Sequence, residues 1–258
     1  MSDTPNESST ETTRSRDAAY WSPKVSQLQT GEVPEGAINL NVSGRRVAGP
    51  IQGFGKMWQK TYKVLLTERS VTPQQVISTW KQRFQEFWPE GNHFYGPLTG
   101  IAPGEVAVLN LTMPGKMKLS TGVLVMYADD ESFTLMTPEG HMFAGWITFS
   151  AAEATEGTLV QTQVLMRASD PLMEMGLGLF GHRQEDRFWE ATLRSLASHF
   201  GVDDPRFETQ SVCVDKKRRW SAMRNVRKNS AIRSGAYMMA APFRAMAKPF
   251  KKKKKTAA

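Results

Sequence analysis

Two proline-opened helical segments, one at Thr72-Pro73 and one at Asp170-Pro171, bracket a series of short stretches in which apolar and polar residues alternate. That order admits few architectures. The first segment has a hydroxyl N-cap followed by proline at the first helical position. It places Val76, Ile77, Trp80, Phe84, Phe87 and Trp88 on one face before Pro89 and Gly91 stop it. A strand over Trp58 to Leu66 precedes it. Strands are predicted after it at Glu105 to Thr112, Thr121 to Tyr127, Ser132 to Met136, Phe143 to Ser150 and Thr158 to Arg167, with turns at Asp129-Asp130 and Glu156-Gly157. The second segment runs to Phe200 with Leu172, Met175, Leu179, Phe188, Leu193, Leu196, Ala197 and Phe200 as its apolar face. Gly176, Gly178 and Gly181 predict a kink or break near Gly181. Strand, helix, five or more antiparallel strands and a long last helix make an α+β domain whose curved sheet wraps that helix.

The ends of the chain differ from this centre. Residues 1–17 are polar and Ser/Thr-rich, too poor in apolar side chains to offset the entropy of ordering, and are expected to be disordered. Residues 18–54 scatter Tyr20, Trp21, Val25, Leu28, Ile38, Leu40 and Val42 among Gly and Pro, as in an extended arm packed on a domain. The domain proper is expected over residues 55–203, and residues 204–258 form a basic tail. Between Lys216 and Lys255 there are fifteen Lys and Arg residues and no Asp or Glu; without those fifteen, the 33 basic residues fall to 18 against 25 acidic ones, a balance of −7. A net-acidic domain thus carries a strongly basic end. The single cysteine, Cys213, excludes an intramolecular disulfide and a zinc site built on cysteine clusters. There is no secretory h-region in the first 30 residues and no run near the roughly 20 apolar residues that span a bilayer. A cytoplasmic location, with peripheral contact to the inner membrane face, is the expectation.

The element order resembles the helix-grip fold of the START-like and polyketide-cyclase superfamily over about Gly55 to Phe200. The segment Thr137-Pro138-Glu139-Gly140-His141-Met142-Phe143-Ala144-Gly145-Trp146-Ile147-Thr148-Phe149 is similar to the T-L-P-G-H-P-E-x-G-E-E-x-F segment of a bacterial START-like family of unknown function. Gly140, His141, Gly145 and Phe149 align, and Trp146-Ile147 stands in place of that family's acidic pair. The resemblance implies a sheet and final helix enclosing an apolar cavity, and it implies no particular activity.

Trp80, Phe84, Trp88, Tyr95, Met126, Met136, His141, Trp146 and Phe188 come from elements that would line or cap such an interior. The same aromatic residues would equally fill a solid core. His141 sits in a turn between two strands, where it either presents an imidazole to a cavity mouth or hydrogen-bonds a neighbouring carbonyl. His93, His182 and His199 share no metal-ligand spacing, and no metal site or cofactor is expected. Cys213, in Ser-Val-Cys-Val-Asp, reads as an inert thiol on one more strand or on an arm returning to the sheet. Glu185-Asp186 with Arg183 and Arg187 reads as a solvated face of ion pairs.

In the tail, Lys216 to Arg233 interleaves Trp220, Met223, Val226 and Ile232 among cations, the pattern of a basic amphipathic helix. Tyr237, Met238, Met239 and Phe243 follow in a stretch long enough to lie in a membrane interface, and Lys251, Lys252, Lys253, Lys254 and Lys255 close it. At about 1 kcal/mol per cation near an anionic leaflet, such a cluster gives a weak, salt-sensitive hold. The sequence therefore points to a non-enzymatic domain that binds an apolar or lipid-like small molecule and is tethered to an anionic membrane. The alternatives are a cyclase-like enzyme using the same cavity through His141 or Tyr95, and a nucleic-acid-associated protein using the tail's charge. Nothing in the sequence specifies a protein partner.

Overall fold

The computed structural model describes residues 18–31, 35–67, 71–97, 99–113, 115, 117–241 and 243. Residues 1–17, expected to be disordered, and the cluster Lys251 to Lys255 lie outside the described residues. Eight antiparallel strands form one sheet: β1 (Met57–Leu66), β2 (His93–Tyr95), β3 (Val106–Thr112), β4 (Lys118–Ala128), β5 (Ser132–Met136), β6 (Phe143–Ala154), β7 (Gly157–Ala168) and β8 (Phe207–Asp215). Their order across the sheet is β2-β3-β4-β5-β6-β7-β1-β8. The two strands separated by the first helix, β1 and β2, thus stand at opposite ends of a meander. Among the described residues, only β8 extends the sheet beyond β1.

Local signals account for the element ends. Helix α1 (Pro73–Gln82) starts in a capping box: Thr72 Oγ1 accepts from the Gln75 amide and Gln75 Oε1 accepts from the Thr72 amide. The helix ends six residues short of Trp88. Arg83 leaves helical backbone, and a tighter 3₁₀ turn at Phe84–Phe87 turns Phe84 into ring contact with Phe94, Phe133 and Phe149. Asp170 caps the last helix by accepting from the Leu172 and Met173 amides. That helix runs as α2 (Pro171–Gly176), a π-helical turn (Leu177–Gly181) and α3 (His182–His199). At the expected kink or break near Gly181 the chain stays helical and widens into the π-helical turn.

The inner face of the sheet buries Tyr62, Val64, Leu66, Val125, Phe133, Leu135, Phe149, Val160 and Met166 against Val76, Ile77 and Trp80 of α1 and Leu193, Leu196 and Ala197 of α3. Each Val, Leu, Ile, Phe and Met among them contributes roughly 1.5–3 kcal/mol of burial free energy. This is the α+β helix-grip arrangement, a curved antiparallel sheet around a long C-terminal helix. On the outer face, residues 18–54 lay Leu28 and Val42 against Val108 and Leu124, and isolated bridges join Trp21 to Tyr127 and Val47 to Pro138.

The chain stays folded well past residue 203. Ser211 to Asp215 lie in β8, paired to β1 with Cys213 opposite Trp58. Next come an extended link, a 3₁₀ segment (Trp220–Lys228) and helix α4 (Ser230–Met239) in place of a single basic amphipathic helix. The reason is that polar side chains bind this segment back onto the domain. Arg167, buried in β7, donates to the Lys217 carbonyl and pairs with Asp215. Asn225 Nδ2 donates to the Gln52 and Ser169 carbonyls, and Asn229 Nδ2 donates to Asp170 Oδ2 at 2.8 Å. Ser234 Oγ accepts from the Ser120 amide of β4.

Candidate functional site

A cavity of about 180 Å³ lies between the sheet and the long helix, far larger than the roughly 10–15 Å³ one water needs. Strands β3 to β7 contribute Leu109, Leu111, Val123, Leu135, Ile147, Val164 and Met166. The 3₁₀ turn and β2 add Trp88 and Phe94. The β5–β6 connection adds Thr137, His141 and Met142, the start of β6 adds Phe143 and Trp146, and the helix adds Gly181, Gln184, Glu185, Phe188 and Trp189. The aromatic residues divide between two roles. Trp80 and Phe84 are fully packed in the neighbouring solid core, where Trp80 meets Phe149 at 4.9 Å. Trp88 and Phe188 meet edge to face at 5.1 Å on the cavity wall. Core and cavity are thus adjacent parts of one interior.

Of the residues singled out from the sequence, Trp88, His141, Trp146 and Phe188 come together at the cavity. Trp146 is 38% exposed. Tyr95 and Met126 pack on the outer face of the sheet with Leu28 and Val42, away from the cavity, because their strand positions have the opposite parity. Met136 is half-buried at the end of β5, opposite Trp146 in the β6 register. In the tail, Trp220 packs edge to face on Phe54 yet stays 69% exposed. Tyr237, Met239 and Phe243 are exposed and Met238 is half-buried.

His141 is buried, with its Nδ1 accepting from the Phe143 amide at 3.0 Å and its carbonyl accepting from Ser169 Oγ. Burial holds its pKa down at about 4, so the ring is neutral at ordinary pH. The preceding Gly140 has φ 87°, and a Cβ there would lie 2.0 Å from the Lys228 carbonyl oxygen. Only glycine lets the returning tail dock, and Ser230 donates its amide to the Gly140 carbonyl at 2.8 Å. Glu139 pairs with Arg46 at 2.9 Å and Lys228 at 2.8 Å. Partial burial pushes its carboxyl up, and the two cations outweigh that and hold it below the usual range. One short connection therefore presents His141 to the cavity and fastens the basic segment to the domain.

The polar groups at the helix side of the cavity correct the solvated ion-pair face expected for Glu185-Asp186. Lys60 of β1 is buried, with Nζ 2.7 Å from Asp186 Oδ1 and 3.0 Å from Glu185 Oε2, and it donates to the His182 carbonyl at 3.3 Å. Tyr62 donates its hydroxyl to Asp186 Oδ1 at 2.7 Å. Glu185 Oε2 is buried, and Lys60, with one N–H not taken by Asp186 or the His182 carbonyl, is its ion-pair partner. Burial pushes the Glu185 carboxyl up to about 7 against the pull of Lys60. It also raises the Tyr62 phenol, with Glu185 adding to the effect, and lowers His182, with Lys60 adding there. The sequence does hold this cluster in outline. Lys60 shares the strand parity of Trp58, Tyr62, Val64 and Leu66, and Glu185 precedes Phe188, Trp189, Thr192 and Leu193 at helical spacings. Among the described residues no group of His, Cys, Asp and Glu could hold a metal ion, and no helix is long and apolar enough to cross a membrane.

No family model matches the chain, and no curated protein matches it. Among solved structures it is similar to a START superfamily protein from Mycobacterium smegmatis, at 16% identity and TM-score 0.39 over 57% of this chain and 98% of that one. It is also similar to the di-domain ARO/CYC StfQ from the steffimycin biosynthetic pathway, at 11% identity and TM-score 0.43 over 56% of this chain and 50% of that one. A protein from Nitrosomonas europaea matches at 12% identity and TM-score 0.40 over 54% and 92%. Likenesses this distant say nothing of ligand or chemistry.

Proposed function

We propose that this START-like helix-grip domain binds an apolar small molecule or lipid in the cavity between its sheet and its long helix, and that its basic C-terminal end holds it at an anionic membrane. The apolar cavity carries the first half: its walls are aliphatic and aromatic, and Trp146 near the start of β6 reaches solvent. Cyclase-like proton transfer by His141 is disfavoured, since a ring whose pKa is near 4 is a poor base at neutral pH. Binding is tested with the neutral dye Nile red. Its emission should rise with the native chain and stay low with Ile147→Trp, which fills the cavity from a half-buried wall position. Equal emission from both proteins would defeat the cavity reading.

The membrane half is supported by charge and by exposed apolar side chains on the same part of the chain. Lys216, Lys217, Arg219, Arg224 and Arg227 are exposed, and Trp220, Met223, Met239 and Phe243 stand among the exposed large hydrophobic residues. Because residues 217–234 are bonded into the domain, deleting the tail would disturb the fold. Replacing Lys251 to Lys255 with glutamine in the full chain is the cleaner test. Flotation with anionic vesicles at low salt should fall by about half or more, and an unchanged floated fraction would remove the lysine cluster from the tether.

A further inference from the structure

The first half of the long helix buries one side and leaves the other bare. Leu177 is buried in the core and Met173 packs against it. Helical spacing puts Leu172, Met175 and Leu179 on the opposite side, where they and Phe180 are exposed. Gly176 and Gly178 lie open between them, so the four large side chains form a ridge that nothing in the domain covers. Single exposed apolar residues are ordinary on a soluble protein, whereas a contiguous group rimmed by charge marks an interaction surface. We infer that this ridge is the face by which the folded domain docks on an anionic membrane, its side chains entering the interface and the cations around it meeting the headgroups. The inference rests on the membrane reading and deepens it, by giving the domain a contact of its own besides the basic end.

The charges around the ridge decide the partner. Within residues 171–181 the one ionisable side chain is Glu174, and it is paired with Arg218 at 3.0 Å. Neighbouring carboxylates are engaged as well: Asp170 caps the helix and accepts from Asn229, Asp186 pairs with Lys60, and Asp215 pairs with Arg167. Arg183 and Arg187 follow the ridge at one-turn spacings on the same helix, and Lys217 and Arg219 flank the arginine that holds Glu174; all four are exposed. The 3₁₀ segment lies beside α2 and adds exposed Trp220 and Met223. An apolar ridge bordered by exposed cations fits an interface rich in anionic lipid, where burial of the side chains and attraction of the cations to the leaflet act together. A second copy of the chain fits it poorly, because joining two such ridges brings like charges face to face. The position also serves the cavity. Gly181, where the π-helical turn ends, lines it. A domain docked by this ridge therefore holds the cavity edge against the lipid, the phase in which an apolar ligand is concentrated.

The test uses the full chain with Cys213→Ser, carrying the environment-sensitive dye NBD on a cysteine introduced by Phe180→Cys or, for comparison, by Ser198→Cys, exposed near the far end of α3. On vesicles of phosphatidylglycerol and phosphatidylcholine in equal parts at low salt, emission from position 180 should rise and shift to the blue, and emission from position 198 should not change. In the otherwise native chain, Leu179→Gln together with Phe180→Gln should weaken vesicle binding about tenfold. The same pair should leave the urea midpoint unchanged, since both side chains are exposed in the free protein. A flat response at both labelled positions, an equal rise at both, or full vesicle binding by the double variant, while the native chain floats, would overturn the ridge and leave the membrane reading to the basic end alone. Sedimentation of the native chain as a dimer that the double substitution splits would also overturn it, because the ridge would then face a second copy. If the labelled proteins fail to fold, the double substitution decides alone. Should the native chain not float with these vesicles, the membrane reading falls and the ridge with it.

Discussion

The two halves of the long C-terminal helix are continuous in the chain but differ in their surroundings. In the half before Gly181, Leu172, Met175, Leu179 and Phe180 are exposed, the last two at 65%, and a Cβ on Gly176 or Gly178 would meet nothing within 4 Å. In the half after it, Thr192, Leu193, Leu196 and Ala197 are buried, and Glu185 and Asp186 are held by Lys60 and Tyr62. The π-helical turn separates the two. The lesson is that the second half belongs to the core and forms a fixed side of the cavity. The first is held by its Asp170 cap, by Glu174 pairing with Arg218 and by Leu177, its one side chain buried in the core.

The largest effect should come from Lys60→Met, which leaves two carboxylates facing each other without their buried cation. Removing one partner of such a group costs about 3–5 kcal/mol, so urea unfolding at pH 7 should show a loss of that size, and a loss under 1 kcal/mol would mean the cluster is solvated. Next is a direct contrast between the halves. Leu193→Ala should lose about 2–5 kcal/mol through its cavity, while Leu179→Ala stays within about 0.5 kcal/mol. Similar losses at both positions would erase the distinction.

The third prediction concerns pH. Glu185 has a folded pKa raised from its ordinary 4.5 to about 7, so the folded state holds its proton longer than the unfolded chain. Stability present at pH 4.5 is therefore lost as pH rises to 7. Glu185→Gln should remove this slope, gaining on the order of 3 kcal/mol relative to the native chain between pH 4.5 and 8. His141 has the opposite sign: its lowered pKa makes stability fall as pH drops from 6.5 toward 4. Parallel profiles for the native chain and Glu185→Gln would show that the carboxyl is not buried. The smallest effect is at the turn. Gly176 has helical backbone and open space around it, so Gly176→Ala should stabilise by about 0.4–1 kcal/mol. If the first half moves for ligand entry, the same change should slow Nile red association, measured by stopped flow.

Much of the fold was legible from residues a few positions apart. The Thr72 cap, the Asp170 cap, the Ser132 to Met136 strand and the turns at Asp129-Asp130 and Glu156-Gly157 all depend on forces that act within one turn or one hairpin. The candidate site was only half legible. Trp88, His141, Trp146 and Phe188 meet at the cavity, but Tyr95 and Met126 fall on the other sheet face, since the parity of a strand against its core depends on which neighbours cover each side. Lys60 was passed over and Glu185 read as part of a solvated face because charged residues are ordinarily solvated, and only mutual proximity makes their burial tolerable.

The sequence alone determined the α+β order of elements, the caps and turns that bound them, and the split between an acidic centre and a basic end, because each is a property of neighbouring residues. Tertiary structure alone decided that Ser211 to Asp215 pair with β1 and that the chain from Lys217 to Ser234 is bonded back through Arg167, Asp170 and Gly140. It alone brought one lysine from the first strand to two carboxylates on the last helix. Those outcomes join residues from about 50 to more than a hundred positions apart, where no local preference reaches and only the packed sheet brings them within bonding distance.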